Sequence, residues 1–268
     1  MLAHPSEWEM SHAPQLGGIC LFMVQKHEYS RSRIPAMTVS DSQRELDNPF
    51  WSSLTTRHAH FAQGGTLARR YPATISPLAG LPGVAPANIA ALAALVEVGG
   101  DVATVGPLVP TLPRNWKTLY ESQVTQMIRV DRSLLPEGNV DASILGAVDV
   151  AEMLALVELT KPGPFRPRTI ELGTYLGIRE GGRLVAMAGE RTWVGDFREV
   201  SAICTHPDVQ RRGYARALMG RVINRMLRAR ETPFLHVESS NLRAIDVYLA
   251  LGFIRRTQFR LLHARRIS

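Results

Sequence analysis

The stretch THPDVQRRGYARAL at residues 205–218 places a proline turn, two adjacent arginines and a glycine directly before a run with helical periodicity. The first turn of a helix leaves backbone N–H groups without partners, and the helix dipole favours an anion there. Gly213 lets the backbone approach a bulky ligand. Gln210, Arg211 and Arg212 add donors that suit phosphate. These residue types fit a diphosphate site, and a basic, solvated helix start is the alternative.

Two motifs in this part of the chain resemble signatures of the GNAT acetyltransferase superfamily. The segment QRRGYA at 210–215 resembles the Q/R-x-x-G-x-G/A signature, and it lies between a predicted strand and a long amphipathic helix. The segment NLRAIDVYLALGF at 241–253 resembles the signature N-x-x-A-x-x-x-Y-x-x-x-G-F. The residues in register are Asn241, Ala244, Tyr248, Gly252 and Phe253. The resemblance covers about residues 130–268.

The resemblance implies that the chain binds acetyl-CoA and transfers its acetyl group to a primary amine. One loop would cradle the diphosphate with Gln210, Arg211, Arg212, Gly213, Tyr214 and Ala215. The preceding strand would pair with the pantetheine arm through the backbone of Ile203, Cys204 and Thr205. Asn241 would contact the pantetheine or the reactive end of the cosubstrate.

Tyr248 matches the tyrosine with which this family protonates the departing thiolate. A phenol is a reasonable acid for that step. The alternative is a ring that packs against Leu251 and Phe253 in the core.

Glu199 is the first candidate for the base that takes the ammonium proton, because family members often place a carboxylate on this strand. Strand alternation predicts that it shares a face with Ser201, Ile203 and Thr205. The alternative is an ion pair with Arg198 or another arginine. Further candidates for the base are Glu190 and Glu238.

Composition limits the other classes of protein. The 268 residues include two cysteines, Cys20 and Cys204, so neither a disulfide framework nor a cysteine-rich zinc site is predicted. His58 and His60 are spaced two apart on a predicted helix and point in different directions, so no metal site is predicted. The apolar stretch at 17–24 is too short for a membrane span and lacks the flanks of a signal peptide. We therefore expect a cytoplasmic protein without a membrane partner.

The formal charge of +7 is unevenly distributed. Residues 198–268 carry +9, and the preceding residues carry −2. This asymmetry favours an anionic partner for the C-terminal part. No helix-turn-helix, RNP or zinc-finger pattern is visible, so we expect no specific nucleic-acid partner.

The order of predicted elements positions both motifs. A helix at 149–160 precedes a hairpin at 174–193, and a strand at 198–205 leads into a helix at 215–230. A strand at 233–239, a helix at 242–252 and one or two strands at 253–264 follow. This order predicts an α/β (α+β) fold with a mixed sheet and helices on its faces, and the resemblance implies a GNAT-like, mostly antiparallel sheet.

The N-terminal half gives weaker signals. A helix at 48–63, a helix at 87–98 and strands at 102–109 and 123–130 resemble a smaller, degenerate GNAT-like unit without a cofactor motif. We therefore predict a poorly organised extension at 1–46, in which Met37 is an alternative start. A degenerate domain at 47–128 and a catalytic domain at 129–268 would follow.

The sequence thus favours an acetyl-CoA-dependent N-acetyltransferase that works by direct attack of the amine. The alternatives are a non-catalytic acyl-CoA-binding regulatory module and a nucleic-acid-binding protein. The amine acceptor, which is a small molecule or a protein, and the oligomeric state are not predicted.

Overall fold

One mixed sheet of eleven strands runs through residues 41–268, the part of the chain that this computed structural model describes. The strands, in chain order, are β1 (Gln63–Gly64), β2 (Arg69–Arg70), β3 (Leu78–Gly80), β4 (Asp101–Gly106), β5 (Trp116–Ile128), β6 (Ala142–Ile144), β7 (Tyr175–Glu180), β8 (Arg183–Val194), β9 (Phe197–Thr205), β10 (Thr232–Glu238) and β11 (Ile254–Arg266). The α-helices in the same range are α1 (Pro49–Thr55), α2 (Pro86–Ala94), α3 (Val150–Thr160), α4 (Tyr214–Arg228) and α5 (Leu242–Ala250).

The strand order across the sheet is β1-β2-β3-β4-β11-β5-β10-β9-β8-β7-β6. Two neighbouring pairs are parallel, β3 with β4 and β9 with β10, and the other pairs are antiparallel. The predicted fold class, a mixed and mostly antiparallel sheet flanked by helices, is confirmed. The 253–264 segment forms a single long strand.

The helices cover both faces of the sheet because the strands alternate apolar side chains between two cores. On β8, Ala188 packs in the core under α4 and α5, whereas its neighbour Met187 packs in the core under α3. On β5, Met127 belongs to the first of these cores and Val124 packs under α1. We call the side of α4 and α5 the front face and the side of α1 and α3 the back face.

The two halves of the sequence exchange strands in this sheet. β5, from the N-terminal half, pairs with β10 on one edge and with β11 on the other. β11, the last strand of the chain, lies between β4 and β5. The described residues belong to one compact unit, and the division at residues 128 and 129 stays a prediction.

Some predicted boundaries are wrong. The helix expected at 48–63 ends at Thr55, and β5 begins at Trp116, seven residues before the expected strand. Most of the predicted extension, including Met37, lies outside the described residues. Its last residues form a 3-10 helix at Asp41–Asp47, in which Leu46 is fully buried. Within residues 41–268, no helix has the length and apolar character to cross a membrane.

The exchange of strands predicts that a fragment of residues 129–268 fails to fold by itself. Without β5, the paired edges of β10 and β11 lose their backbone partners, and unpaired strand edges favour aggregation. We expect no cooperative urea transition and no near-ultraviolet circular dichroism from this fragment, in contrast to residues 41–268. A cooperative transition in the shorter fragment would contradict this expectation.

Candidate functional site

A cleft opens in the sheet where two parallel strands part. β9 and β10 pair over three positions only, Phe197–Glu199 against Thr232–Phe234. Beyond them β9 continues to Thr205 and β10 to Glu238, with no further pairing in their register. The facing backbone groups therefore need another partner, because buried N–H and C=O groups are rarely left unsatisfied. An extended, amide-containing ligand can supply one.

A β-bulge in β9 sets the direction of the side chains in this cleft. Ala202 has a φ of 51°, and the register with β8 shifts between Met187 and Gly189. Val200 and Ile203 both pack on the front core, although simple alternation would place them on opposite faces. A non-glycine residue in the left-handed region is strained, and such strain is concentrated at functional sites.

A cavity of about 410 Å³ lies on the front face, beside the free end of β9. It is enclosed by β9, the loop before α4, α4 itself and α5. Its lining residues are Ile203, Thr205, Gln210, Arg211, Gly213, Tyr214, Ala215, Arg216, Met219, Arg243, Ala244, Val247, Tyr248 and Ala250. Apolar walls and a rim of arginines suit a ligand with an apolar arm and a phosphorylated end.

The loop before α4 turns its backbone toward this cavity. Arg211 and Gly213 have φ angles of 67° and 82°, and a Cβ on Gly213 would meet no atom within 4 Å. The positive φ of residue 213 therefore favours glycine at this position, whereas the space around it would admit a side chain. The first bond of the helix joins the Ala217 amide to the Gly213 carbonyl at 3.0 Å. The amides of 214–216 precede that bond, so they are available to an anion.

The two adjacent arginines in this loop differ in role. Arg211 lines the cavity. Arg212 instead pairs with Glu180 on β7, at 3.1 Å from Nη1 to Oε1, and the Tyr214 hydroxyl donates to the same carboxylate. Arg212 therefore fixes the loop to the sheet.

One side chain in the cavity has an unsatisfied polar atom. Thr205 Oγ1 is buried and has no hydrogen-bond partner among the described residues. Such an atom costs free energy unless a ligand or water bonds to it. Together with the amide-lined loop and the unpaired edge of β9, it fits the amide groups and diphosphate expected of an acyl-CoA.

Tyr248 is held at the cavity by the two ends of α5. Asn241 Oδ1 accepts from the Ala244 amide at 3.1 Å and so caps the N-terminus of the helix. The fully buried Arg129, just after β5, donates from Nε to the Leu251 carbonyl at 2.9 Å and caps the other end. Burial raises the pKa of Tyr248 to about 12, and no described residue bonds its hydroxyl. Tyr248 is therefore a protonated donor that is free for a ligand.

Glu199 lies on the back face, and the predicted shared face with Ile203 and Thr205 is wrong because the Ala202 bulge reverses the alternation. Its side chain is fully buried. Arg191 binds it with two hydrogen bonds of 2.6 and 3.0 Å, and Thr192 donates to it as well. A second register shift, between Glu190 and Trp193 on β8, places both donors opposite Glu199.

His236 on β10 completes this buried group, with Nδ1 at 2.8 Å from Glu199 Oε1. Its ring packs against Phe50 of α1. Although burial acts in the opposite direction, the positive Arg191 and the bond from His236 hold the pKa of Glu199 well below its usual range. The carboxylate is therefore ionised and weakly basic.

The other predicted candidates have distinct surroundings. Glu190 is buried beside Arg225 at 3.2 Å and Arg198 at 4.0 Å. Glu238 is exposed at the open end of β10, where the Tyr120 hydroxyl of β5 donates to it. Cys204 points into the back core, and burial raises the pKa of its thiol to about 11, which leaves it unreactive.

The structure brings most of the predicted site residues together. Those that line the cavity are Ile203, Thr205, Gln210, Arg211, Gly213, Tyr214, Ala215 and Tyr248. Those with side chains elsewhere are Cys204, Arg212, Asn241 and Glu199. Sequence reasoning missed Arg216, Arg243 and Val247 as lining residues. For Arg243 and Val247 a signal was available. Residues four apart lie on one face of a helix, and this pair directly precedes Ala244 and Tyr248, which have the same spacing and lie in the motif.

Comparison with known proteins adds independent information. A family model described as FR47-like protein matches residues 175–261. A search of curated protein sequences gave no significant match. Within residues 41–268, no group of three or more His, Cys, Asp or Glu side chains is placed to hold a metal ion.

Solved structures give stronger matches. A protein from Novosphingobium aromaticivorans DSM 12444, assigned to the GNAT family of acetyltransferases, is 32% identical, with 83% of this chain and 99% of that chain covered and a TM-score of 0.74. A GCN5-related N-acetyltransferase from Kribbella flavida is 16% identical, with 81% and 94% covered and a TM-score of 0.54, so it supports the fold alone. The ribosomal-protein-S18-alanine N-acetyltransferase of Escherichia coli is 25% identical, with 48% and 94% covered, but its TM-score of 0.41 is too low to support an argument.

The buried ion pair predicts a large stability effect for Glu199→Gln. The substitution leaves Arg191 buried without its counterion, which costs about 3–5 kcal/mol of unfolding free energy. The matched control is Glu121→Gln, which removes an exposed pair with Arg260 and should cost less than about 1 kcal/mol. Urea denaturation at pH 7 measures both.

Acid provides a second check on the same group. Because the folded pKa of Glu199 is depressed, its stabilising contribution is present above the unfolded value of about 4.3 and is lost as the pH falls toward the folded value. The wild-type protein should therefore lose stability below about pH 4 more steeply than Glu199→Gln. Equal slopes would contradict the depressed pKa.

Proposed function

The chain belongs to the GNAT family of acetyltransferases, and from this premise we propose that it transfers an acetyl group from acetyl-CoA to a primary amine. The proposal is carried by one observation. Eight residues predicted from the family resemblance, six in the two motifs and two on the preceding strand, meet in a single cavity beside the unpaired edge of β9. A helix start, an unpaired strand edge and a free phenol then face one ligand.

The unpaired backbone of β9 would bind the pantetheine amides as a neighbouring strand would. The amides of 214–216 and Arg211 would hold the diphosphate. The thioester would lie toward Tyr248. The amine nitrogen attacks the thioester carbonyl carbon, the carbon–sulfur bond breaks, and the sulfur leaves as a thiolate. The new amide nitrogen loses one proton to a base.

Tyr248 would act on the departing sulfur. A phenol with a pKa near 12 is a weaker acid than a thiol, whose ordinary pKa is about 8.5. Complete transfer of the phenolic proton is therefore unfavourable in energy. Tyr248 would stabilise the developing thiolate by donating a hydrogen bond, in the manner of an oxyanion donor.

Two carboxylates are proposed for the base. Glu199 is the first, from its place on β9. Because protein donors occupy both of its oxygens, its proton must arrive through a neighbouring group or a water. Glu238 is the second, since it is exposed at the open end of the cleft and its described partner is Tyr120 alone. We also propose that the protein is cytoplasmic and that its acceptor is a primary amine of a small molecule or a protein.

The alternative of a non-catalytic acyl-CoA-binding module keeps the same cavity. The free hydroxyl of Tyr248 favours an enzyme, because a binding module has no use for an unpaired donor beside the thioester. Release of free thiol from acetyl-CoA, measured against a broad panel of amines, separates the two. Acetyl-CoA binding without release with any amine would favour the binding module.

The hydroxyl of Tyr248 predicts a loss of turnover for Tyr248→Phe. Removal of one donor to a developing anion lowers kcat by about 100-fold. Acetyl-CoA affinity should change little, since the ring remains in the cavity. Thiol release and calorimetric titration with acetyl-CoA measure the two quantities. A loss of affinity with unchanged kcat would contradict the assignment.

The two proposed bases predict different outcomes for removal of their charge. If Glu238 takes the proton, Glu238→Gln should lower kcat/KM by about 100-fold or more at unchanged stability and abolish the acidic limb of its pH profile. Glu121→Gln is the matched control, because Glu121 is an exposed carboxylate that pairs with Arg260 and does not line the cavity. Unchanged activity in Glu238→Gln would reject Glu238 as the base.

A further inference from the structure

Three arginines surround the cavity without a carboxylate partner. Arg211 lies in the loop before α4, Arg216 in the first turn of α4 and Arg243 in the first turn of α5. All three are exposed, and none of their side chains makes a hydrogen bond or ion pair with a residue in 41–268. Their neighbours on the same elements do: Arg212 binds Glu180, and Arg225 binds Glu190. Three positive charges without a carboxylate partner therefore face the same cavity.

This amount of positive charge exceeds what a diphosphate needs. The helix start already offers backbone amides and its dipole to the diphosphate, and Arg211 in the same loop adds one charge. Arg216 and Arg243 remain, one on each of the two helices that flank the cavity. Like charges that face one opening repel each other, so their arrangement is favourable when a further anion lies between them. A phosphate monoester supplies about 1.5 to 2 negative charges near pH 7.

We propose that Arg216 and Arg243 bind a phosphate monoester on the nucleoside end of the acyl donor and so select coenzyme A over its dephosphorylated form. The inference rests on the proposed function, because it takes the donor to be an acyl-CoA. Coenzyme A carries such a monoester at its ribose 3′ position, and dephospho-CoA lacks only this group. Arg211 binds the diphosphate, which both forms share.

The other explanation of these arginines is general attraction. The C-terminal segment carries an excess of positive charge, and any arginine near the cavity would favour any anionic ligand. General attraction weakens with salt and acts on both forms of the donor. Local recognition instead changes the ratio of the two affinities. The ratio is therefore the quantity to measure.

The test is a cycle of variants against two ligands, CoA and dephospho-CoA, titrated by calorimetry at fixed ionic strength. The variants are Arg216→Gln, Arg243→Gln, Arg211→Gln and the control Arg255→Gln. Arg255 is exposed on β11, does not line the cavity and has no described ion pair, so it reports general attraction. The four arginines are exposed, and thermal denaturation checks that each variant keeps the stability of the wild type.

We expect the wild-type protein to bind CoA about tenfold or more tightly than dephospho-CoA, as charge-assisted hydrogen bonds to phosphate allow. Arg216→Gln and Arg243→Gln should each reduce this ratio several-fold, mainly by weakening CoA. Arg211→Gln should weaken both ligands by a similar factor, and Arg255→Gln should leave the ratio unchanged.

Three results would overturn the inference. Equal wild-type affinities for CoA and dephospho-CoA would reject recognition of the monoester while leaving acetyl-CoA binding intact. An unchanged ratio in both Arg216→Gln and Arg243→Gln would reject these two residues as its ligands. Failure of the wild-type protein to bind either ligand would instead reject the proposed function and this inference together.

Discussion

The separation of β9 from β10 after Glu199 and Phe234 is the constraint on which the rest of the site depends. Splitting a parallel pair inside a sheet exposes backbone groups on two strands, which is unfavourable without compensation. The side chains at the split hold the strands together where the backbone pairing ends. Glu199 on β9 bonds His236 on β10, and Arg191 on β8 binds the same carboxylate. This buried group fixes the position at which the cleft begins.

The local order of the chain could be predicted from the sequence, and the side-chain directions in the cleft could not. Hydrophobic periodicity located α4 and the hairpin of β7 and β8, and the two motifs located most of the cavity lining. The bulge at Ala202 could not be recognised from the hydrophobic pattern, because an alanine occurs in regular strands and in bulges alike. Its φ of 51° is what reverses the alternation of side chains beyond it. Glu199 therefore looked like a neighbour of Ile203, although it faces the other side of the sheet. A one-residue irregularity changes every side chain beyond it.

Long-range pairing was the second feature that the sequence could not indicate. The sequence predicted only the last six of the thirteen residues of β5, since residues 117–123 are largely exposed and show no apolar alternation. Its place between β10 and β11 depends on contacts far apart in sequence. This placement has a consequence for the site: Arg129, which directly follows β5, caps the end of α5, the helix that carries Tyr248. The N-terminal half thus positions a residue of the C-terminal motif.

The basic excess of the C-terminal segment has two separate structural uses. Arg198, Arg212, Arg225 and Arg228 bind carboxylates of the fold, namely Glu231, Glu180, Glu190 and Glu137. Such pairs neutralise charge locally, whereas a nucleic-acid-binding surface is expected to present a continuous basic stripe. The arginines that remain without partners around the cavity lie on two helix starts and one loop. Because these three unpaired charges lie where backbone amides also converge, a compact polyanion explains them better than an extended one does.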